Sequence, residues 1–261
     1  MAFPGSKRKA DKPMSPTTVP YGVALPAVSV EPGWASGPVH LADDPNRWTS
    51  GRKEPEVVGL PALWWPPSHG LPPESRAVVL HGVPTARRGS VSVPVVAGVD
   101  ADVLREGETV EVNGSKGTLT IPGVEEVRVV TALLEREDGR ILLLERSSKV
   151  GSFQGRWAGV SGFLEDPTPL DQAYREIREE VGLGREGLRL EVEGAPVLAR
   201  DGARVFVVHP FRFRALTTEI RLDWEHVRAE WVDPVEIRRR PTVPKLDRVW
   251  EAVRATGAPK G

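Results

Sequence analysis

The chain has 261 residues, of which 39% are hydrophobic and 27% charged, with a formal net charge of -1. This is the profile of a soluble globular protein long enough for one large domain or two modest ones, and its charge balance excludes a general pull toward nucleic acid or a membrane surface. The chain has no cysteine, so disulfides, thiolate zinc sites and cysteine nucleophiles are excluded together, and any metal must be held by oxygen or imidazole.

Residues 1 to about 20 are polar, rich in Lys, Pro and Ser and without periodicity, which predicts a disordered leader. The Lys7-Arg8-Lys9 run within it reads as a solvated tail. No apolar h-region follows these basic residues, and no run reaches the ~18 to 20 apolar residues of a membrane span, so the expected location is the cytoplasm. From about 21 to 123 short apolar runs, "RAVVLHGV", "VSVPVVAGV", "ETVEVNG" and "GTLTIPG", alternate with Pro and Gly. They predict a β-rich domain, with "EVNGSKGTLTI" as a hairpin.

The pattern changes at 123 to 126, where a second domain is expected to begin and to run to 261. "VRVVTALLER" and "RILLLER" flank Asp138-Gly139 as a hairpin of buried strands, and "RDGARVFVVHPFRFRAL" turns again at Asp201-Gly202. A helix lies between the hairpins and should stop at Gly182. A last helix is predicted in "VPKLDRVWEAVRATG", with Pro244 in its first turn and Gly257 as its stop.

The first helix carries "YREIREEVGL", in which Glu176, Glu179 and Glu180 fall within a sector of roughly 100°. Like charges three or four residues apart repel by a few tenths of a kcal/mol and raise each other's pKa unless a cation sits between them. Most glutamate-rich helix faces are simply solvated. A hard divalent ion such as Mg²⁺, however, would turn this repulsion into a binding site. Arg175 stands four residues before Glu179, in position to pair with it and orient it. Upstream, "WAGVSGFLE" is a loop of small residues in which backbone can approach a ligand.

"GFLEDPTPLDQAYREIREEVGL", residues 162 to 183, resembles the Nudix box, G-x5-E-x7-R-E-U-x-E-E-x-G-U with U aliphatic. Arg175, Glu176, Ile177, Glu179, Glu180, Gly182 and Leu183 match its second half without a gap. Its first half departs: Gly162 to Arg175 is thirteen steps where the family has fourteen, and Asp166 or Glu165 must stand in for the first box glutamate. The likeness covers about 126 to 261 and implies an α/β/α sandwich around a mixed sheet, preceded here by the β-rich domain. It further implies hydrolysis of the diphosphate linkage of a nucleoside diphosphate joined to another group. The substrate would be a nucleotide-type small molecule such as an ADP-ribose-like compound or a nucleoside triphosphate, and the cofactor Mg²⁺, with Mn²⁺ as a substitute.

By this resemblance Glu176, Glu179 and Glu180 bind the metal, the Ser161 carbonyl adds a ligand, and Arg175 orients Glu179. Glu225, six residues before Trp231, corresponds to a further family glutamate, so that Glu176 and Glu225 are the candidates for general base. The competing class is a nucleotide-sensing regulatory protein with a catalytically weak Nudix domain, for which the missing box glutamate speaks.

His226 reads as a loop residue without catalytic weight, and His209 as a core or edge histidine of an apolar strand. Arg146, Lys149 and Arg156 are phosphate-contact candidates against an equal expectation of a solvated basic loop. Trp224 and Trp231 are base-stacking candidates, although large aromatics in such segments usually belong to the core. "VPVVAGVDADVLREGETVEVNGSKGTLTI" is similar to part of the swivelling β/β/α domains, but the phosphohistidine motif of the carriers among them is not visible. This first domain is left with three uses: presenting substrate, forming a homodimer or capping the site.

Overall fold

A computed structural model describes residues 23–42, 56–62, 65, 71, 75–81, 84 and 91–254. The expected leader, its basic run and Gly257 lie outside the described residues. None of the described helices is long and apolar enough to cross a membrane.

Among the described residues, eight strands precede residue 122: β1 (Val23–Pro26), β2 (Val28–Glu31), β3 (Trp34–Leu41), β4 (Glu56–Pro61), β5 (Ser75–His81), β6 (Val95–Val99), β7 (Thr109–Asn113) and β8 (Thr118–Ile121). Their spatial order is β1-β8-β7-β3-β4-β5-β6-β2. Only Ala27 separates β1 from β2, yet they stand at opposite ends of this order, so segment 23–31 joins both edges and closes the sheet on itself. β3 to β6 run parallel. Parallel strands are covered on both faces and therefore read as continuous apolar runs. In β5, accordingly, Ala77 and Val79 enter one buried cluster while Val78 and Leu80 enter another. The expected hairpin is present as β7 paired with β8, Val112 opposite Leu119.

The second sheet is mixed. It is built from β9 (Glu125–Glu135), β10 (Ile141–Arg146), β11 (Trp157–Ala158), β12 (Val160–Phe163), β13 (Leu188–Glu193), β14 (Val197–Asp201), β15 (Arg204–Ala215) and β16 (His226–Val232). β15 runs parallel to β9 over their whole lengths, while β10 and β12 pair antiparallel with β9, and β11 and β16 with β10. Alternation then assigns the faces. Val130, Ala132, Leu134, Phe211 and Phe213 meet Ala173, Ile177 and Val181 of helix α1 (Pro169–Val181) on one side. Leu133, Ile141, Leu143 and Val208 meet Leu246, Val249 and Val253 of helix α2 (Leu246–Arg254) on the other. The result is the anticipated α/β/α sandwich after a β-rich region. Each fully buried Ile or Val on α1 contributes about 1.5–3 kcal/mol to holding that helix in place.

α1 begins where its sequence permits. Thr168 is the N-cap and accepts from the Asp171 N–H, Pro169 occupies the first turn, and Gly182 ends the helix in the left-handed region at φ 75. α2 corrects an expectation: Pro244 precedes the helix, because Lys245 stands at φ 64 and helical geometry cannot include it.

The two sheets meet along β14 and β15. Val205 and Leu198 pack into the core of the first sheet. Arg200 reaches across with both guanidinium nitrogens, each 2.6 Å from an oxygen of Glu108, and also donates to the Val103 carbonyl at 2.8 Å. At a second point Lys245 pairs with Asp102.

Candidate active site

Beside the end of β12, helix α1 and the approach to β16 bring Glu176, Glu179, Glu180, Asp223 and Glu225 within electrostatic reach of one another. Glu176 and Glu180 are related by one full turn plus about 40° and share the face that α1 turns toward β12. Glu180 is 3% exposed. Its Oε1 accepts from the Ser161 N–H at 3.3 Å, while its buried Oε2 has no hydrogen-bond partner. Glu176 lies across Gly162, where a Cβ would fall 2.1 Å from its Oε1. A side chain at 162 would have to displace that carboxylate.

The three helix glutamates differ in burial: Glu180 is buried and Glu176 half-buried, whereas Glu179 is exposed at the solvent edge of the helix. Glu179 is thus the outermost of the three. It still lies close enough to Glu176 and Glu225 to raise both.

The crowding shows in the acidities. Burial, with Glu179 and Glu225 nearby, pushes Glu176 up to about 7 against the pull of a hydrogen bond from Gln172. Burial and then Glu176 raise Glu180 well above the usual carboxylate range. Glu225 is raised by burial and by Asp223, with Arg146 pulling the other way. These are carboxylates held together without enough positive charge among them.

Arg175 is a second correction. It does not turn to Glu179; its Nη2 lies 3.3 Å from Glu165 and donates to Gln172 Oε1 at 2.7 Å, and its Nε sits 3.1 Å from Asp166 as an ion pair without hydrogen-bond alignment. Thus the two residues expected to stand in for the missing box glutamate both clamp Arg175, and the shortened loop draws the guanidinium toward itself. Gln172, which carried no sequence signal, organises this loop. It is fully buried, its Oε1 accepts from the Glu165 and Asp166 N–H groups at 2.8 and 3.0 Å, and its Nε2 donates to Glu176 Oε1.

His226 is a third correction. It opens strand β16 with its side chain 1% exposed, and its Nε2 is 3.7 Å from Glu180 Oε2. Asp223 accepts both at the His226 ring, 3.1 Å from Nδ1, and from the Glu225 N–H at 3.1 Å. The signal was Asp223-x-x-His226 at the start of a strand, visible in the sequence but meaningless until the strand was placed beside α1. Trp231 packs against the core as large aromatics in such segments usually do, but Trp224 is 60% exposed beside Glu225.

Arg146 donates to the Ser152 carbonyl and Arg156 to the Thr242 carbonyl, so both guanidinium groups brace loops. His209 lies within β15, and burial lowers its pKa.

With this geometry in view, comparison with known proteins adds a family. The model of the NUDIX domain matches residues 125–252. Among solved structures, the chain is similar to a MutT protein from Methanosarcina mazei Go1 at 23% identity, TM-score 0.43, covering 49% of this chain and 92% of that one. It is also similar to an Ap4A hydrolase from C. elegans at 17% identity, TM-score 0.42, covering 48% and 93%. A third is the NUDIX domain of Shewanella oneidensis NrtR, in complex with ADP ribose, at 18% identity, TM-score 0.40, covering 49% and 86%.

Proposed function

Residues 125–252 of this chain are a NUDIX domain, and on that premise we propose that it is a divalent-metal-dependent hydrolase of the diphosphate linkage in a nucleoside diphosphate joined to another group. The observation that carries this reading is the buried Glu180 Oε2, which has no hydrogen-bond partner and stands beside a second raised carboxylate. A buried carboxylate oxygen left unsatisfied costs stability, and a hard cation is the ligand that would satisfy it. The donor set fits Mg²⁺ or Mn²⁺, both of which accept all-oxygen ligation.

Glu176, Glu179 and Glu180 would hold the cation, the exposed Glu179 from its solvent side. Ser161 would add its backbone oxygen. In an antiparallel strand the N–H and C=O of one residue point to the same side. Because the Ser161 N–H is directed to Glu180, its carbonyl faces the acidic cluster as well, away from β9. A divalent cation held by these residues would supply charge neutralisation for the diphosphate and a lowered pKa for water. Of the two candidate bases, Glu176 and Glu225, both raised by burial, Glu225 is the one left outside the proposed cation ligands and would take the proton of the attacking water at its carboxylate. Arg175, held by Glu165 and Asp166, fixes the entrance loop against α1 and does not act on Glu179.

We assign about 21–123 to a separate domain and about 126–261 to the NUDIX domain. Among the described residues no strand of one sheet pairs with a strand of the other, which supports this division. The reading is tested by incubating the full chain with ADP-ribose, dinucleotide and nucleoside triphosphate substrates and Mg²⁺. Wild type is expected to release a nucleoside monophosphate or phosphate species, and Glu180→Gln to lose at least ~100-fold in turnover, roughly 3 kcal/mol of transition-state stabilisation. Binding without turnover across the panel would replace this reading with the nucleotide-sensing one.

A further inference from the structure

Glu180 and Glu225 come from different elements, a helix and the approach to an edge strand, and nothing in the family match says what sets their distance. The structure supplies a connection that runs through side chains and backbone alike. Past the C-terminus of α1 the chain leaves, makes the β13 to β15 excursion, and returns at 221–223 to lie along the last helical turn. There the Arg221 N–H donates to the Val181 carbonyl at 2.9 Å and the Asp223 N–H to the Glu180 carbonyl at 3.2 Å. These carbonyls belong to the last turn of a helix and have no intrahelical partner, so the returning segment satisfies them and is thereby fixed in height against Glu180.

From that fixed point Asp223 holds two further groups. Its Oδ1 accepts from the Glu225 N–H at 3.1 Å and faces His226 Nδ1 at 3.1 Å. A carboxylate there can only accept, so Nδ1 carries the proton and the imidazole plane is set. The other ring nitrogen then faces Glu180 Oε2 at 3.7 Å, with the His226 and Glu180 side chains 1% and 4% exposed. The circuit Glu180 backbone, Asp223, His226, Glu180 carboxylate is closed, and Glu225 hangs from its Asp223 corner.

We propose that Asp223 and His226 are positioning residues that lock Glu225 to Glu180, so that the helix carboxylate that would hold a divalent cation and the carboxylate before β16 that would take the proton of water are held at one preset site. The inference rests on the hydrolase reading above and deepens it. Neither residue needs to touch the cation. Asp223 works through hydrogen bonds accepted at one oxygen, and His226 through the ring edge that backs Glu180. Groups that orient metal-binding side chains in this way typically change metal affinity by about 10- to 100-fold when removed.

Mn²⁺ binding to the EDTA-stripped full chain, followed by the electron paramagnetic resonance of free Mn²⁺, tests this without relying on turnover. Wild type and Glu180→Gln are measured first. Saturable binding by wild type that Glu180→Gln loses supports the cation site itself. Asp223→Ala is expected to weaken Mn²⁺ at least ten-fold and His226→Phe, which keeps a ring but no ring nitrogen, about ten-fold. Asp223→Asn keeps the accepting oxygen and is expected to stay within about three-fold of wild type. That rescue separates hydrogen-bond positioning from a role for the Asp223 charge, and a thermal melt of each variant identifies any that fails to fold. Should Asp223→Ala not fold, Asp223→Ser takes its place. If wild type binds Mn²⁺ but Asp223→Ala and His226→Phe bind it equally well, the positioning role is wrong and the hydrolase reading stands. If Asp223→Asn is as weak as Asp223→Ala, charge and not hydrogen bonding is at work and the proposal fails. If wild type binds no Mn²⁺, both readings fall.

Discussion

Two buried polar clusters in this molecule obey opposite rules. At the junction of the sheets, Arg200 spends its guanidinium on two oxygens of Glu108 and one backbone carbonyl, so that the opposite charges are matched and hydrogen-bonded. Beside α1, Glu176, Glu180, Asp223 and Glu225 crowd like charges together, and one oxygen of Glu180 is left without a hydrogen-bond partner. The first arrangement is what stability asks of a buried charge. The second costs stability in the absence of a ligand, and a fold keeps such a cost at a site that binds something. Side by side, the clusters contrast a matched buried ion pair with the acidic group that we propose as the cation site.

Breaking the satisfied cluster has the largest expected effect. Arg200→Ala strands Glu108 at a mostly buried position and should cost about 3–5 kcal/mol in a urea titration. Mn²⁺ affinity of the molecules that remain folded should be unchanged, because Arg200 makes none of the contacts that hold the acidic cluster. Breaking the unsatisfied cluster should do the reverse. Glu180→Gln removes a crowded charge, so the EDTA-stripped variant is expected to melt at or above the wild-type midpoint while its turnover is lost. A variant that melted well below wild type would show that Glu180 serves stability, and the contrast would disappear.

A smaller effect is expected from Gly162→Ala. The new methyl would take the space of Glu176 Oε1, and displacing that carboxylate by about 1 Å should lower turnover by about ten-fold or more. Turnover equal to wild type would mean that Glu176 has room to move and is not fixed by this contact.

The last difference lies in pH. Glu176 in the fold sits at about 7, above the ~4.3 of an unfolded glutamate. Between these values the native state binds more protons than the unfolded state, so stability falls as pH rises through this window. Chemical denaturation of the metal-free chain at pH 5 and pH 8 should show that decline, and saturating Mg²⁺ should remove it. A metal-free chain equally stable at both pH values would contradict the crowding.

The sequence made one cluster legible and hid the other. Glu176, Glu179 and Glu180 announce themselves by helical spacing, and the α/β/α arrangement follows from hairpins whose Asp-Gly turns and continuous apolar strands are local signals. The solvent-facing placement of Glu179 was not legible, since spacing gives the width of a face but not which edge of it the core covers. Arg175 was misassigned because an i,i+4 partner was judged within the helix, while the shortened loop supplied two carboxylates from outside it. Asp223 and His226 are separated from α1 by the whole β13 to β15 excursion, and the Arg200 to Glu108 pair spans 92 residues. Contacts of that separation arise from the register of β15 on β9, and no local pattern records them.

The central claim is that the acidic cluster beside α1 exists to bind a divalent cation. Isothermal calorimetry of Mg²⁺ titrated into the EDTA-stripped chain tests it most directly. A saturable site in wild type that vanishes in the double variant Glu176→Gln, Glu180→Gln is the predicted result, and a wild-type titration indistinguishable from that of the double variant would contradict it.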